Sequence, residues 1–60
     1  MKVKELISLF SSDTRYNILH VNNPHDIEWW GQGSRCNTTC DEEEVIGVSW
    51  SKKNIIIYIN

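Results

Sequence analysis

The chain has 60 residues, 40% of them hydrophobic and 23% charged, with six Lys or Arg against eight Asp or Glu for a formal net charge of −2. That length holds one hydrophobic core, hence a single domain over residues 1–60, and gives little depth for a catalytic pocket. Lys2, Lys4, Arg15, Arg35, Lys52 and Lys53 are scattered along the sequence, which is not the dense basic stripe of a protein that grips nucleic acid through its phosphates.

Val3, Leu6, Ile7 and Phe10 recur at helical spacing, so Val3 to Ser11 is expected to form an amphipathic helix. Glu5 and Ser8 break up the apolar run of this opening segment, which therefore does not read as a secretory signal. No stretch approaches the roughly 20 apolar residues of a membrane span, so a cytoplasmic location is expected. The Ser11-Ser12-Asp13 sequence stops the helix, because short polar side chains compete with the helical backbone for hydrogen bonds.

Tyr16 to Asn22 is rich in strand-favouring residues, with Tyr16, Ile18 and His20 on one face and Asn17, Leu19 and Val21 on the other. Asn22-Asn23-Pro24-His25-Asp26 reads as a turn, and a second strand from Ile27 to Trp30 would complete a hairpin ended by Gly31 and Gly33. Further on, Thr39 or Asp41 is expected to cap a single helical turn containing the acidic residues, where the positive end of the helix dipole favours them. Val45 to Trp50 and Ile55 to Asn60, joined by Ser-Lys-Lys-Asn, form a C-terminal hairpin with Ile55, Ile57 and Ile59 facing one way and Ile56 and Tyr58 the other.

The sum is an α+β fold of two layers, the N-terminal helix packed on a three- or four-stranded antiparallel sheet. One helix covers one face of such a sheet. The other face then presents large apolar side chains from the same strands, the pattern of a partner surface or of self-association.

Four constellations stand out. His20, His25, Cys36 and Cys40 are the residue types that tetrahedral zinc takes, and the pairs His20-x4-His25 and Cys36-x3-Cys40 have spacings used in structural sites, although no Cys-x2-Cys knuckle is present. A small metal-stapled module is thus one reading of the chain. Without metal, the two thiols are reduced in a cytosol, or close a short disulfide loop under oxidising conditions. Trp29 and Trp30 are adjacent, so on a strand one indole points into the core and the other outward as an interface anchor. Asp41, Glu42, Glu43 and Glu44 form the chain's acidic run, suited to a basic surface on a partner. Asp26, Glu28 and His25 offer acid and base groups, but no supporting pocket is indicated, and neither an enzyme nor a cofactor is expected. The expected protein-binding residues are Trp29, Trp30, Asp41, Glu42, Glu43 and Glu44.

The segments Val3 to Ile7 and Glu44 to Ile59 resemble those of short proteins from phages and prophages of low-GC Gram-positive bacteria, which open on a Val-Lys-Glu-Leu-Ile helix and end on a β-hairpin. The resemblance implies an accessory protein of a bacterial host's cytoplasm that acts by binding and blocking, as inhibitors of host defence such as anti-CRISPR proteins do. A third reading is a homodimer that assembles with itself or with a virion component.

Overall fold

A computed structural model describes residues 1–35, 37–52 and 54–60. Among these residues it contains one helix, α1 (Val3–Ile7), and four strands, β1 (Arg15–His20), β2 (Asn23–Gln32), β3 (Val45–Ser51) and β4 (Asn54–Ile59), in one sheet of order β2-β1-β4-β3. The α+β class and the C-terminal hairpin are as expected. The sheet is mixed rather than antiparallel: β1–β2 and β3–β4 are antiparallel hairpins, but β1 and β4 join them in parallel, from Arg15 opposite Asn54 to His20 opposite Ile59. Of the two central strands, β4 is the most apolar of the sheet, with five apolar residues in a row from Ile55 to Ile59.

The helix is shorter than the periodicity suggests, ending at Ile7 instead of Ser11. The Ser8 hydroxyl donates to the Glu5 carbonyl at 2.6 Å, and the chain then tightens into three-residue turns through Leu9 N–H to Leu6 and Phe10 N–H to Ile7. Phe10 still reaches the core while Leu9 is exposed. Ser11 Oγ, 2.8 Å from both Asp13 Oδ1 and Thr14 Oγ1, fixes the turn into β1.

The first hairpin turns earlier than expected. Val21 and Asn22 form the turn, and Asn23-Pro24-His25-Asp26 belongs to β2. Two register shifts absorb the extra residues, with Ile18 opposite Trp29, Leu19 opposite Ile27 and His20 opposite Asn23. Pro24 is tolerated because β2 is an edge strand and no ladder bond is lost there. Gly31 and Gly33 do not end the strand in the expected way: β2 continues through Gly31 to Gln32, and Gly33, at φ +88°, makes the left-handed exit while its N–H donates to Thr14 at 2.8 Å.

The core lies between α1 and the sheet. Val3, Ile7, Tyr16, Ile18, Cys40, Ile57 and Ile59 are buried together, with Leu6, Phe10, Trp29, Val45 and Ile55 packed around them. Cross-strand partners share a face of a sheet. Ile57 lies beside Ile18, which faces Trp29, so one row of the pleat supplies the floor under the helix.

The segment between β2 and β3 returns over the helix side and ties the helix start. Val3 N–H donates to the Glu43 carbonyl at 2.9 Å and Lys4 N–H to that of Asp41 at 3.1 Å, while Lys2 N–H is taken by Glu5 Oε1 at 2.7 Å. Donors that a helix start leaves unpaired are thereby satisfied. Lys2 and Glu44 form an isolated antiparallel bridge, and Val45 N–H reaches the Met1 carbonyl. Among the described residues no helix is long and apolar enough to cross a membrane.

Candidate functional site

Strand alternation decides which side chains are left outside the core. With Tyr16 and Ile18 turned toward the helix, Arg15, Asn17 and Leu19 point to the opposite, uncovered face. The register extends each of them into a row across the sheet. Trp30, Asn17, Ile56 and Ser49 make one row, and Ile27, Leu19, Tyr58 and Gly47 the next.

This face has an apolar centre without being a second core. Leu19 is only 7% exposed, yet it lies outside the cluster beneath the helix, so its shelter comes from neighbours on its own face. Ile56 and Tyr58 are half-buried beside it. Ile27 is 53% exposed and Trp30 is 74% exposed, so the indole projects from the edge of the patch into solvent. Next to Trp30, Arg15, Asn17, Gln32 and Asn54 wall a shallow hollow of about 390 Å³. An apolar centre with a polar border containing Arg is the usual make-up of a protein-binding patch.

The adjacent tryptophans divide as alternation requires. Trp29 is half-buried and packs on the core from the helix side, whereas Trp30 lies on the uncovered face. Trp29 is therefore a packing residue and has little surface to offer.

The acidic run lies in the other layer, beside the start of α1, and the structure does not bring it together with Trp30. Glu42 accepts from Lys2 Nζ at 3.1 Å and pairs with Lys4 Nζ, and Glu44 Oε2 lies 3.0 Å from the Met1 nitrogen. Asp41 faces inward on its own loop, where Oδ1 accepts from Thr38 N–H at 3.0 Å and from the Thr38 hydroxyl at 2.8 Å. The Thr38 hydroxyl in turn accepts from Cys40 N–H at 2.9 Å. Thr38, rather than Thr39 or Asp41, is thus the capping residue of this turn, and Asp41 plays the reciprocal part of a capping box. The segment makes turns and no helix.

Electrostatics follows from these contacts. The Lys4 ammonium, then that of Lys2, holds the Glu42 carboxyl below the usual carboxylate range, and Glu42 holds Lys4 above the usual lysine range. Both groups are fully exposed, so the clasp is screened by salt and is worth little on its own.

Of the metal-type residues, His20, His25 and Cys40 are among the described residues. His20, at the end of β1, donates from Nδ1 to the Asn60 carbonyl at 3.2 Å and has Nε2 3.5 Å from Glu28. His25 is exposed on β2, Cys40 is buried in the core, and Cys36 lies outside the described residues. Among the described residues no three His, Cys, Asp or Glu side chains come together in a metal-holding group. Burial pushes the Cys40 thiol up, with smaller upward contributions from Glu28, Glu43 and Asp41, and the Thr39 hydroxyl opposes the shift. It is a protonated packing group, poor as a nucleophile.

Comparison with protein-family models, with curated proteins and with solved structures gives no match for this chain.

Proposed function

We propose that this protein acts by binding another protein and carries out no chemistry of its own, in the manner of small phage-encoded proteins that block a host defence component. The carrying observation is the uncovered sheet face, with Trp30 standing 74% exposed beside Ile27 and the Leu19–Tyr58–Ile56 patch. A rigid indole on a strand buries on the order of 200 Å² for little conformational entropy, which is why tryptophan recurs as an interface anchor. The polar hollow at Arg15, Asn17 and Asn54 supplies the hydrogen-bonding border that fixes orientation. The resemblance of Val3 to Ile7 and Glu44 to Ile59 to short phage proteins supports the same reading.

In this account Trp30 is the anchor, Ile27, Ile56 and Tyr58 line the contact, and Asp41, Glu42 and Glu44 are engaged mainly within the chain. The test is a comparison of Trp30→Asp and Ile27→Asp with the wild type, immobilised and exposed to extract of the producing cell. Both substitutions are at exposed positions and should leave the melting temperature nearly unchanged. A protein retained by the wild type should be lost from both variants. Retention of the same proteins by all three would overturn the assignment of this face.

A further inference from the structure

The uncovered face changes character along its strands. At the end where β1 begins, the register lines up Gln32, Arg15, Asn54 and Ser51 in one row across all four strands, next to the row of Trp30, Asn17, Ile56 and Ser49. Direct cross-strand neighbours stand about 5 Å apart at Cβ, so these side chains form one polar field beside the indole. The hollow of about 390 Å³ at Trp30 adjoins a second of about 630 Å³, walled by Asp13, Ser51, Lys52 and Ile56, and the two share Arg15, Asn17, Gln32 and Asn54. Together they make a trough that crosses the sheet from Trp30 on β2 to Lys52 in the second hairpin turn, with Arg15 common to both halves.

The chain leaves the groups in this trough open. Among the described residues no hydrogen bond or ion pair engages the Arg15 guanidinium, the Lys52 ammonium or the carboxamides of Asn17 and Asn54. The Gln32 amide nitrogen, by contrast, donates to the Ser12 carbonyl at 3.3 Å, and Asp13 on the rim accepts from the Ser11 hydroxyl at 2.8 Å. Asn17 is half-buried on a central strand, where Asn is disfavoured and an aliphatic residue would pack better against its neighbour Ile56. The sheet itself gives no reason for an amide there. Charge points the same way: the chain is net negative, and Glu42 of its acidic run is held by Lys2 and Lys4 in the other layer, yet the trough sets Arg15 and Lys52 against Asp13 alone. An open guanidinium fork flanked by neutral carboxamide donors matches one carboxylate, which accepts two parallel N–H bonds from Arg. A nucleic-acid backbone calls for a longer run of cations.

We infer that the trough receives an Asp or Glu side chain of the bound protein, its carboxylate paired with the Arg15 guanidinium and accepting from the Asn17 or Asn54 carboxamide, next to the contact that Trp30 makes. The inference rests on the protein-binding reading above and adds the partner's chemistry to it, an acidic residue beside an apolar patch.

The extract assay above tests it, with variants at position 15 added and melting temperatures as the check on folding. Arg15→Gln and Arg15→Glu, at an exposed position, should cut the amount of partner retained roughly tenfold or more, the charge reversal more deeply. Arg15→Lys keeps the charge and supplies a primary amine, which a carbodiimide condenses with a contacting carboxylate, with loss of water, to an isopeptide bond. Mass spectrometry should place that bond between position 15, or Lys52 in the wild type, and an Asp or Glu side chain of the retained protein. Loss with Trp30→Asp and Ile27→Asp but undiminished retention by Arg15→Glu would overturn the carboxylate site and leave the face as a binding surface. Retention by every variant, or by none with the wild type included, would overturn both. Dependence on Arg15 without an isopeptide bond at either position, or with a bond to the retained protein's terminal carboxyl, would overturn the inference in favour of a phosphate group or a chain end.

Discussion

Gly31 is occupied by glycine because Tyr16 needs the space. The two are cross-strand partners, and the Tyr16 ring lies over Gly31 so closely that an added Cβ would stand 2.6 Å from Oη and 2.8 Å from Cζ. Ordinary contact for such a carbon begins near 3.4 Å, so Gly31→Ala displaces the ring by close to an ångström. Tyr16 is 3% exposed and has Phe10 against it at a centroid distance of 5.6 Å, so the ring has no free direction in which to yield. Overpacking of this kind costs about 1–3 kcal/mol, which outweighs the gain of up to about 1 kcal/mol that alanine brings to a strand interior. A chain of this size has a total stability of roughly 3–9 kcal/mol, and each kcal/mol corresponds to about 4–8 °C in melting temperature. Urea titration followed by tryptophan fluorescence should show a lower midpoint with an unchanged slope. In a double-mutant cycle with Tyr16→Leu, which removes Oη and Cζ, the double variant should cost less than the sum of the two single costs. A Gly31→Ala protein as stable as the wild type would refute the packing of Tyr16 across this position.

Thr38→Ala removes the hydroxyl that accepts from Cys40 N–H and donates to Asp41, and should cost about 1 kcal/mol in chemical denaturation, with Thr38→Ser recovering most of it. Lys52 occupies the second hairpin turn at φ +53°, a conformation that costs a side-chain-bearing residue about 1–2 kcal/mol, so Lys52→Gly should raise stability by about 0.5–1 kcal/mol after the greater freedom of glycine in the unfolded chain is counted. Glu42→Gln should lower the melting temperature slightly at neutral pH and low salt. Because the fold holds the Glu42 carboxyl below its ordinary value, the clasp contributes above the unfolded carboxyl's pKa and is lost as pH falls through the folded one; the gap between variant and wild type should therefore close in acid. Lys4, held above its ordinary value, keeps its share until pH rises through that raised value, so the gap should also close at the alkaline extreme.

What the sequence disclosed was local. Alternation correctly sets Ile57 and Ile59 in the core apart from Ile56 and Tyr58, and separates Trp29 from Trp30. Helical spacing marks Val3, Leu6, Ile7 and Phe10, of which Val3 and Ile7 are buried and Leu6 and Phe10 are partly buried against the core. Its far end differs because Ser8 bonds back to Glu5, a hydroxyl effect that apolar periodicity does not register. The first hairpin was shifted because Pro24 reads as a turn residue, whereas an edge strand with register shifts accommodates it. The parallel contact between β1 and β4 is the largest difference, and it is non-local: each hairpin is legible from its own residues, but which edges meet depends on tertiary packing. The unbroken Ile-Ile-Ile-Tyr-Ile of β4 is the available signal, since a run apolar on both faces suits the middle of a sheet better than its edge. For the candidate surface, Trp30 was legible from its position beside Trp29, while Leu19, Ile56 and Tyr58 became a patch only once β4 stood next to β1. The intrachain pairing of Glu42 is not legible from the acidic run, whose local sequence contains no cation; the lysines that pair with it lie about 40 residues away, at Lys2 and Lys4.

The central claim, that the Trp30 face binds another protein, is tested most directly by photo-crosslinking in the producing cell. Benzoylphenylalanine replaces Trp30 in one variant and Leu9, which is 73% exposed in the helix layer, in another. The account predicts a discrete adduct with a different protein from position 30 and none from position 9. The same adducts from both positions, only self-adducts, or none from position 30 would contradict it.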